Sequence, residues 1–203
     1  MKTKRSNRDR ILDVASEMFL TKGFAVTSMD DLVKASGVAK TNIYYHFKGK
    51  EELLGAIVDR MIDHYQSQAL HIAGLAELPV AARLQRLVLA LYEQNEVKSS
   101  LGGCPFLTLY TQTAGEWPEG KARIGRFFRS QRELVQGLLQ EGAAAGELKP
   151  ALPPDQLASV LVSAVEGALF LSHATADEGI KAHLLDSLSL LLQPAGTSSL
   201  PSS

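Results

Sequence analysis

Cysteine is nearly absent from this chain: Cys104 is the only one in 203 residues. One thiol cannot form an internal disulfide framework, and the cysteine pairs of a structural zinc site are missing, so a reducing cytoplasm is the expected compartment. Glycine-rich phosphate loops, a nucleophile elbow and an H-E-x-x-H run are also lacking. The five histidines are scattered, and although His64 and His71 lie a heptad apart, no carboxylate or thiol completes a metal set around them. No enzymatic activity, catalytic residue, metal or cofactor is therefore expected. The opening MKTKRSNRDR is basic but leads into no apolar segment of a secretory signal. The most apolar stretch, 157–174, is interrupted by Glu166 and several serines and falls short of a membrane span, so no membrane partner is expected.

Strand-like alternation is missing too, whereas the helical period of apolar residues recurs almost throughout. The expected fold class is all-α, about nine helices, with length enough for a substantial core. Ser6 and Asp9 cap a first helix that Gly23 stops, and Thr27 with Asp30 repeats the signature for a helix over 28–35 ended by Gly37. A third short helix is expected over 40–45. A long helix follows from Glu51 to about Gly74, then one from Pro79 to about residue 98, a short one over 105–114, and a longer one over 119–145. Two apolar helices, 155–175 and 178–192, come after the proline-rich 147–155. The tail, PAGTSSLPSS over 194–203, has the composition of disorder.

Net charge is only −1, but its distribution is uneven. Residues 1–50 hold ten Lys and Arg against five Asp and Glu, and residues 51–203 hold eleven against seventeen. A basic first quarter hints at nucleic acid. Its three short helices, the last two separated by a tight Gly37 turn, describe a helix-turn-helix. On the third helix Ile43 and Phe47 can face the core. Lys40, Thr41, Asn42, Tyr44, Tyr45 and His46 are then distributed over the remaining faces, where a mobile cation, hydroxyls and an amide suit phosphates and base edges.

The run Phe24-x-x-Thr27-Ser28-Met29-x-x-Leu32-x-x-x-Ser36-Gly37-Val38-Ala39-Lys40-x-x-Ile43-Tyr44-Tyr45-His46-Phe47-x-x-Lys50-Glu51-Glu52-Leu53-Leu54 resembles the DNA-binding domain of the tetracycline-repressor (TetR) family of bacterial regulators. The resemblance is strong over residues 8–60 and rests beyond them on helix count and the two apolar C-terminal helices. Ala39 departs from it, since many members carry Ser or Pro there, which loses a cap. What the resemblance implies is a cytoplasmic, ligand-responsive repressor that binds double-stranded operator DNA as a dimer. Thr27 and Ser28 would present the second helix to a phosphate, Lys40, Thr41 and Asn42 would reach base edges, and Tyr44, Tyr45, His46 and Lys50 would hold the backbone.

On this reading residues 1–50 form the DNA-binding domain and 51–193 the effector and dimerisation domain. A homodimer is expected through the last two helices, where Ser163, Ala164, Gly167 and Ala168 would permit close approach. The resemblance also implies an effector pocket, for which Cys104, Phe106, Tyr110, Trp117, Phe127, Phe128, Phe170 and His173 are candidate walls, the effector being an unknown small molecule. Within GGCPF (102–106), Cys104 reads as small apolar packing at a helix joint or as a sensor of electrophiles. A helical adaptor that binds protein would account for the apolar helices but not for the basic first 50 residues.

Overall fold

The computed structural model describes residues 6–96, 103–113 and 117–192. Among them lie nine helices: α1 (Asn7–Thr21), α2 (Met29–Ser36), α3 (Lys40–His46), α4 (Lys50–Ala73), α5 (Val80–Glu96), α6 (Pro105–Gln112), α7 (Pro118–Ala144), α8 (Pro154–Thr175) and α9 (Gly179–Leu191). The protein is all-α, as its periodicity predicts, and the helix bounds fall within a residue or two of those expected. Gly102, the tail 194–203 and the helix ends expected near residues 98 and 114 lie outside the described residues.

Two compact units divide the chain, Met1–Tyr65 with Pro105–Phe127, and Gln66–Cys104 with Phe128–Ser203. In the first, the Ser6 hydroxyl accepts the Asp9 amide at 3.1 Å and starts α1, which buries Ile11, Leu12, Ala15, Met18 and Phe19. The cap of α2 is one residue later than expected. Ser28 and Asp31 form the reciprocal capping box, while the Thr27 side chain is buried and donates to the Gly23 carbonyl at 2.7 Å. Both S/T-x-x-D frames satisfy the local pattern, and burial of Thr27 selects the second. Gly37 ends α2 at φ 63°, a left-handed conformation that glycine adopts without penalty, and so turns the chain directly into α3. Leu53, Leu54, Ile57 and Val58 of α4 and Phe106 and Leu109 of α6 are fully covered and complete this core. The Trp117 ring packs flat over Gly120, where any Cβ would collide with it.

The second unit is built on Val80, Leu84 and Val88 of α5, Leu138 and Leu139 of α7, Leu157, Leu161 and Val165 of α8, and Leu188 and Leu192 at the end of the chain's last described turn. Arg83, almost wholly buried, ties three helices together: its guanidinium donates to the Ala73 carbonyl at the end of α4 at 2.8 Å and pairs with Glu141 of α7. Glu147 accepts the Val80 amide at 2.8 Å and closes the start of α5 onto the same end of α7. Of the described helices α8 is long and apolar enough to cross a bilayer by length and composition. Its residues Leu157, Ala158, Leu161, Val165, Ala168 and Leu169 are nonetheless packed in this core.

Candidate nucleic-acid interface

Two apolar anchors set the orientation of α3. Ile43 is fully buried and Phe47, at the helix end, nearly so, with the Arg8 guanidinium 5.5 Å from the centre of the Phe47 ring. Helical geometry then turns the remaining residues outward. Lys40, Thr41, Tyr44 and Tyr45 are exposed, Tyr45 to 84%, while Asn42 and His46 are half-buried. The structure therefore brings together on one short element six of the residues expected to read DNA, four of them exposed and two half-buried. Tyr45 and His46 stack edge to face with centroids 5.1 Å apart, which gives this outer surface a defined shape. The Asn42 Oδ1 is buried and has no hydrogen-bond partner among the described residues.

Other expected contacts are placed differently. The Thr27 hydroxyl is engaged internally, so this residue offers no side-chain donor outward. Ser28 is exposed at the head of α2, its hydroxyl shared with Asp31, whose carboxyl the Ser28 hydroxyl holds below the usual aspartate range. The Lys50 ammonium turns inward: it donates to the carbonyls of Phe24 at 3.0 Å and Ala25 at 3.2 Å and lies 4.5 Å from the centre of the Phe24 ring. Lys40 donates to Asp30 Oδ1 at 2.8 Å, an exposed pair that bridges α2 and α3. The hydrogen bond to Asp30, then its charge, holds the Lys40 pKa above the ordinary lysine value. Asp30 has no part in the expected contact set, because a carboxylate in a basic helix-turn-helix gives no signal of its own.

The expected effector residues separate by burial. Phe106 and Phe127 stack with centroids 4.2 Å apart, and Tyr65, which the helical period puts on the apolar face of α4 but which is not among the expected pocket walls, meets Phe106 edge-on at 5.2 Å. Trp117 is buried beside Gly55 and Gly120. Tyr110 is partly exposed under the Lys121 ammonium. In the other unit Phe128 is half-buried, and Phe170 and His173 are exposed on α8. Cys104 is buried, its thiol hydrogen-bonded to Glu166, while Gly103 brings its backbone against Leu169 and Phe170. Burial pushes the Glu166 carboxyl above its ordinary range, and the Cys104 hydrogen bond opposes that shift more weakly.

On the outside of α8, Val160, Ser163, Ala164, Gly167 and Leu171 are exposed at helical spacing, and Leu190 and Leu191 of α9 are exposed as well. Ala168, expected on that face, is buried instead.

Comparison with known proteins bears on both units. Residues 11–57 match the family described as bacterial regulatory proteins, tetR family, and residues 80–188 match the tetracyclin repressor-like C-terminal domain. The HTH-type transcriptional repressor ComR of Escherichia coli is 29% identical over 193 residues, which cover 94% of this chain and 86% of that repressor. The HTH-type transcriptional repressor KstR2 of Mycolicibacterium smegmatis is 27% identical over 153 residues, 74% of this chain and 71% of its own. In fold, the crystal structure of E. coli NemR in its reduced form superposes with a TM-score of 0.81 at 19% identity, covering 95% of this chain and all of that one.

Proposed function

Because the chain belongs to the TetR family of bacterial transcriptional regulators, we propose that it is a repressor that binds a palindromic operator as a homodimer and is released by a small-molecule effector. The observation that carries this reading is the outer surface of α3, where Lys40, Thr41, Tyr44 and Tyr45 stand exposed around the buried anchors Ile43 and Phe47. Lys40, Thr41 and Asn42 reach base edges in the major groove, and Tyr44, Tyr45 and His46 hold the sugar-phosphate backbone beside them. The α2 amides behind Ser28 face a phosphate. Lys50 supports the interface from behind by fixing the turn that leads into α2.

A palindrome follows from the dimer. Two α3 helices related by a two-fold axis meet half-sites about 34–36 Å apart or a multiple of that spacing. The exposed apolar face of α8 with α9 is the surface we assign to the partner copy, completing a four-helix bundle. Effector binding shifts the population between a DNA-competent and a released state by its differential affinity for the two, and α4, to which both units contribute, carries the change. The stacked pair Phe106 and Phe127 is the first place to look for effector contacts. Cys104 adds a reactive-electrophile route to the same release, favoured by its position at the start of α6. Regulators of this kind act in the cytoplasm.

A mobility-shift assay with duplex DNA from the region upstream of the protein's own gene tests the proposal. Specific retardation that weakens steeply with salt is expected, at about −0.9 in log K per log salt for each neutralised phosphate. Binding no tighter than to random duplex would overturn it.

A further inference from the structure

Lysine at the head of a recognition helix is a poor reader of sequence when left to itself. Its four-carbon stem is flexible, its ammonium is a compact point charge, and any phosphate within reach satisfies it. Phosphate contact of this kind carries affinity without sequence information. In this protein the Lys40 ammonium is not free: Asp30, in the first turn of α2, holds it at 2.8 Å across the turn between the two helices. Both side chains remain more than half exposed, 58% for Lys40 and 64% for Asp30, so the pair stands on the surface of α2 and α3 and not beneath it. An exposed ion pair contributes little to stability. Its position, on the second residue of α2 and the first of α3, gives it a different use.

We propose that Asp30 is a specificity residue, acting through Lys40 to direct its ammonium onto a G·C base pair instead of the phosphate backbone. The inference rests on the DNA-reading role of α3. Three physical effects combine. The carboxylate restricts the lysine before binding, so less side-chain freedom is lost in the complex. It repels phosphate oxygens, which removes the sequence-independent alternative. And the pair as a unit suits a G·C pair best: guanine offers two acceptors, O6 and N7, to the ammonium, and cytosine an N4 amino donor that a carboxylate accepts, whereas a T·A pair in that orientation offers the ammonium only the thymine O4. An A·T pair in the same place sets the adenine N6 donor against the ammonium.

Selection of bound sequences from a randomised duplex pool, with the full-length protein and its D30N, K40M and D30E variants, tests this. The parent is expected to select a symmetric site with a G·C preference at one position per half-site that both D30N and K40M lose, while D30E, which can still pair with Lys40, retains it. D30N is also expected to bind random duplex more tightly, with a salt dependence steeper by about 0.9 per protomer as Lys40 moves to a phosphate. Asp30 is exposed and Asn suits a helix's first turn, so loss of fold does not confuse the result, and a purely structural role would not relax one base position alone. If D30N selects the same sequence as the parent, or if K40M loses a position that D30N keeps, the proposal is wrong. Failure of the parent to select any sequence would instead overturn the DNA-reading role itself.

Discussion

The ammonium of Lys50 lies 3.0 Å from the carbonyl oxygen of Phe24 and 4.5 Å from the centre of that residue's ring. The first residue of α4 is thereby fastened to the loop that delivers the chain into α2. Hydrogen bonds to a charged group are worth about 1.5–3 kcal/mol each, and partial exposure reduces that here. Lys50→Met is expected to lower unfolding free energy by about 1–2 kcal/mol, read by urea denaturation, and to weaken operator binding with the salt slope unaltered. A variant of parental stability whose slope is reduced by about 0.9 per protomer would place the ammonium on a phosphate instead.

Ile43 and Tyr45, two residues apart on α3, are expected to separate folding from binding. Ile43 is fully buried, and truncating a large aliphatic core residue costs about 2–5 kcal/mol. Ile43→Ala therefore loses operator binding by unfolding the reader. Tyr45 is 84% exposed, and Tyr45→Ala changes stability by less than about 0.5 kcal/mol while lowering operator affinity. Circular-dichroism melts alongside titrations of labelled operator distinguish the two. Unchanged affinity in Tyr45→Ala would remove this residue from the interface.

How far such roles can be read from the chain depends on their range. Ser6 with Asp9, and Gly37, act within one turn of helix, so spacing reveals them. Ile43 and Phe47 are legible because four residues return a helix to the same face. The start of α2 is ambiguous for a local reason, since Thr27 and Asp30 repeat the frame of Ser28 and Asp31, and only the tertiary burial of Thr27 separates them. Lys50 reaches carbonyls 23 to 26 residues away, and Tyr65 meets Phe106 across a still longer interval, and no local pattern encodes either. Phe170 and His173 look like pocket walls by residue type, yet both are exposed in the folded chain. Residue type suggests a chemistry, and only packing says which way it points.

Glu166 is expected to make stability fall with rising pH. Burial raises its carboxyl above the ordinary 4.5, so the folded chain holds the proton more tightly than the unfolded one. The contribution is fully present below the unfolded value and is lost as pH rises through the folded value. Glu166→Gln keeps an acceptor for the Cys104 thiol but has no charge to bury. It is expected to melt higher than the parent at about pH 7, with the difference closing toward 4.5. Parallel melting curves for the two proteins across that range would show that folding leaves the proton affinity of the carboxyl unchanged, against this expectation.

Gly167 offers the clearest test of the dimer surface, because folding and association respond to it in opposite directions. A Cβ built there meets nothing within 4 Å in the protomer, and its neighbours on the same side of α8, Val160 and Leu171, are 47% and 48% exposed. Within one chain Gly167→Leu has only advantages, since replacing glycine in a helix interior gains up to about 1 kcal/mol. Against a partner copy the same leucine stands where two helices approach closely, and it holds them apart. Sedimentation equilibrium is therefore expected to show a weaker dimer in a chain whose helix is intrinsically more stable, and operator binding should become steeper in protein concentration as the dimer is diluted below its dissociation constant. Val160→Lys is expected to weaken the dimer also, by burying a charge. If both variants associate as tightly as the parent, the partner copy lies elsewhere.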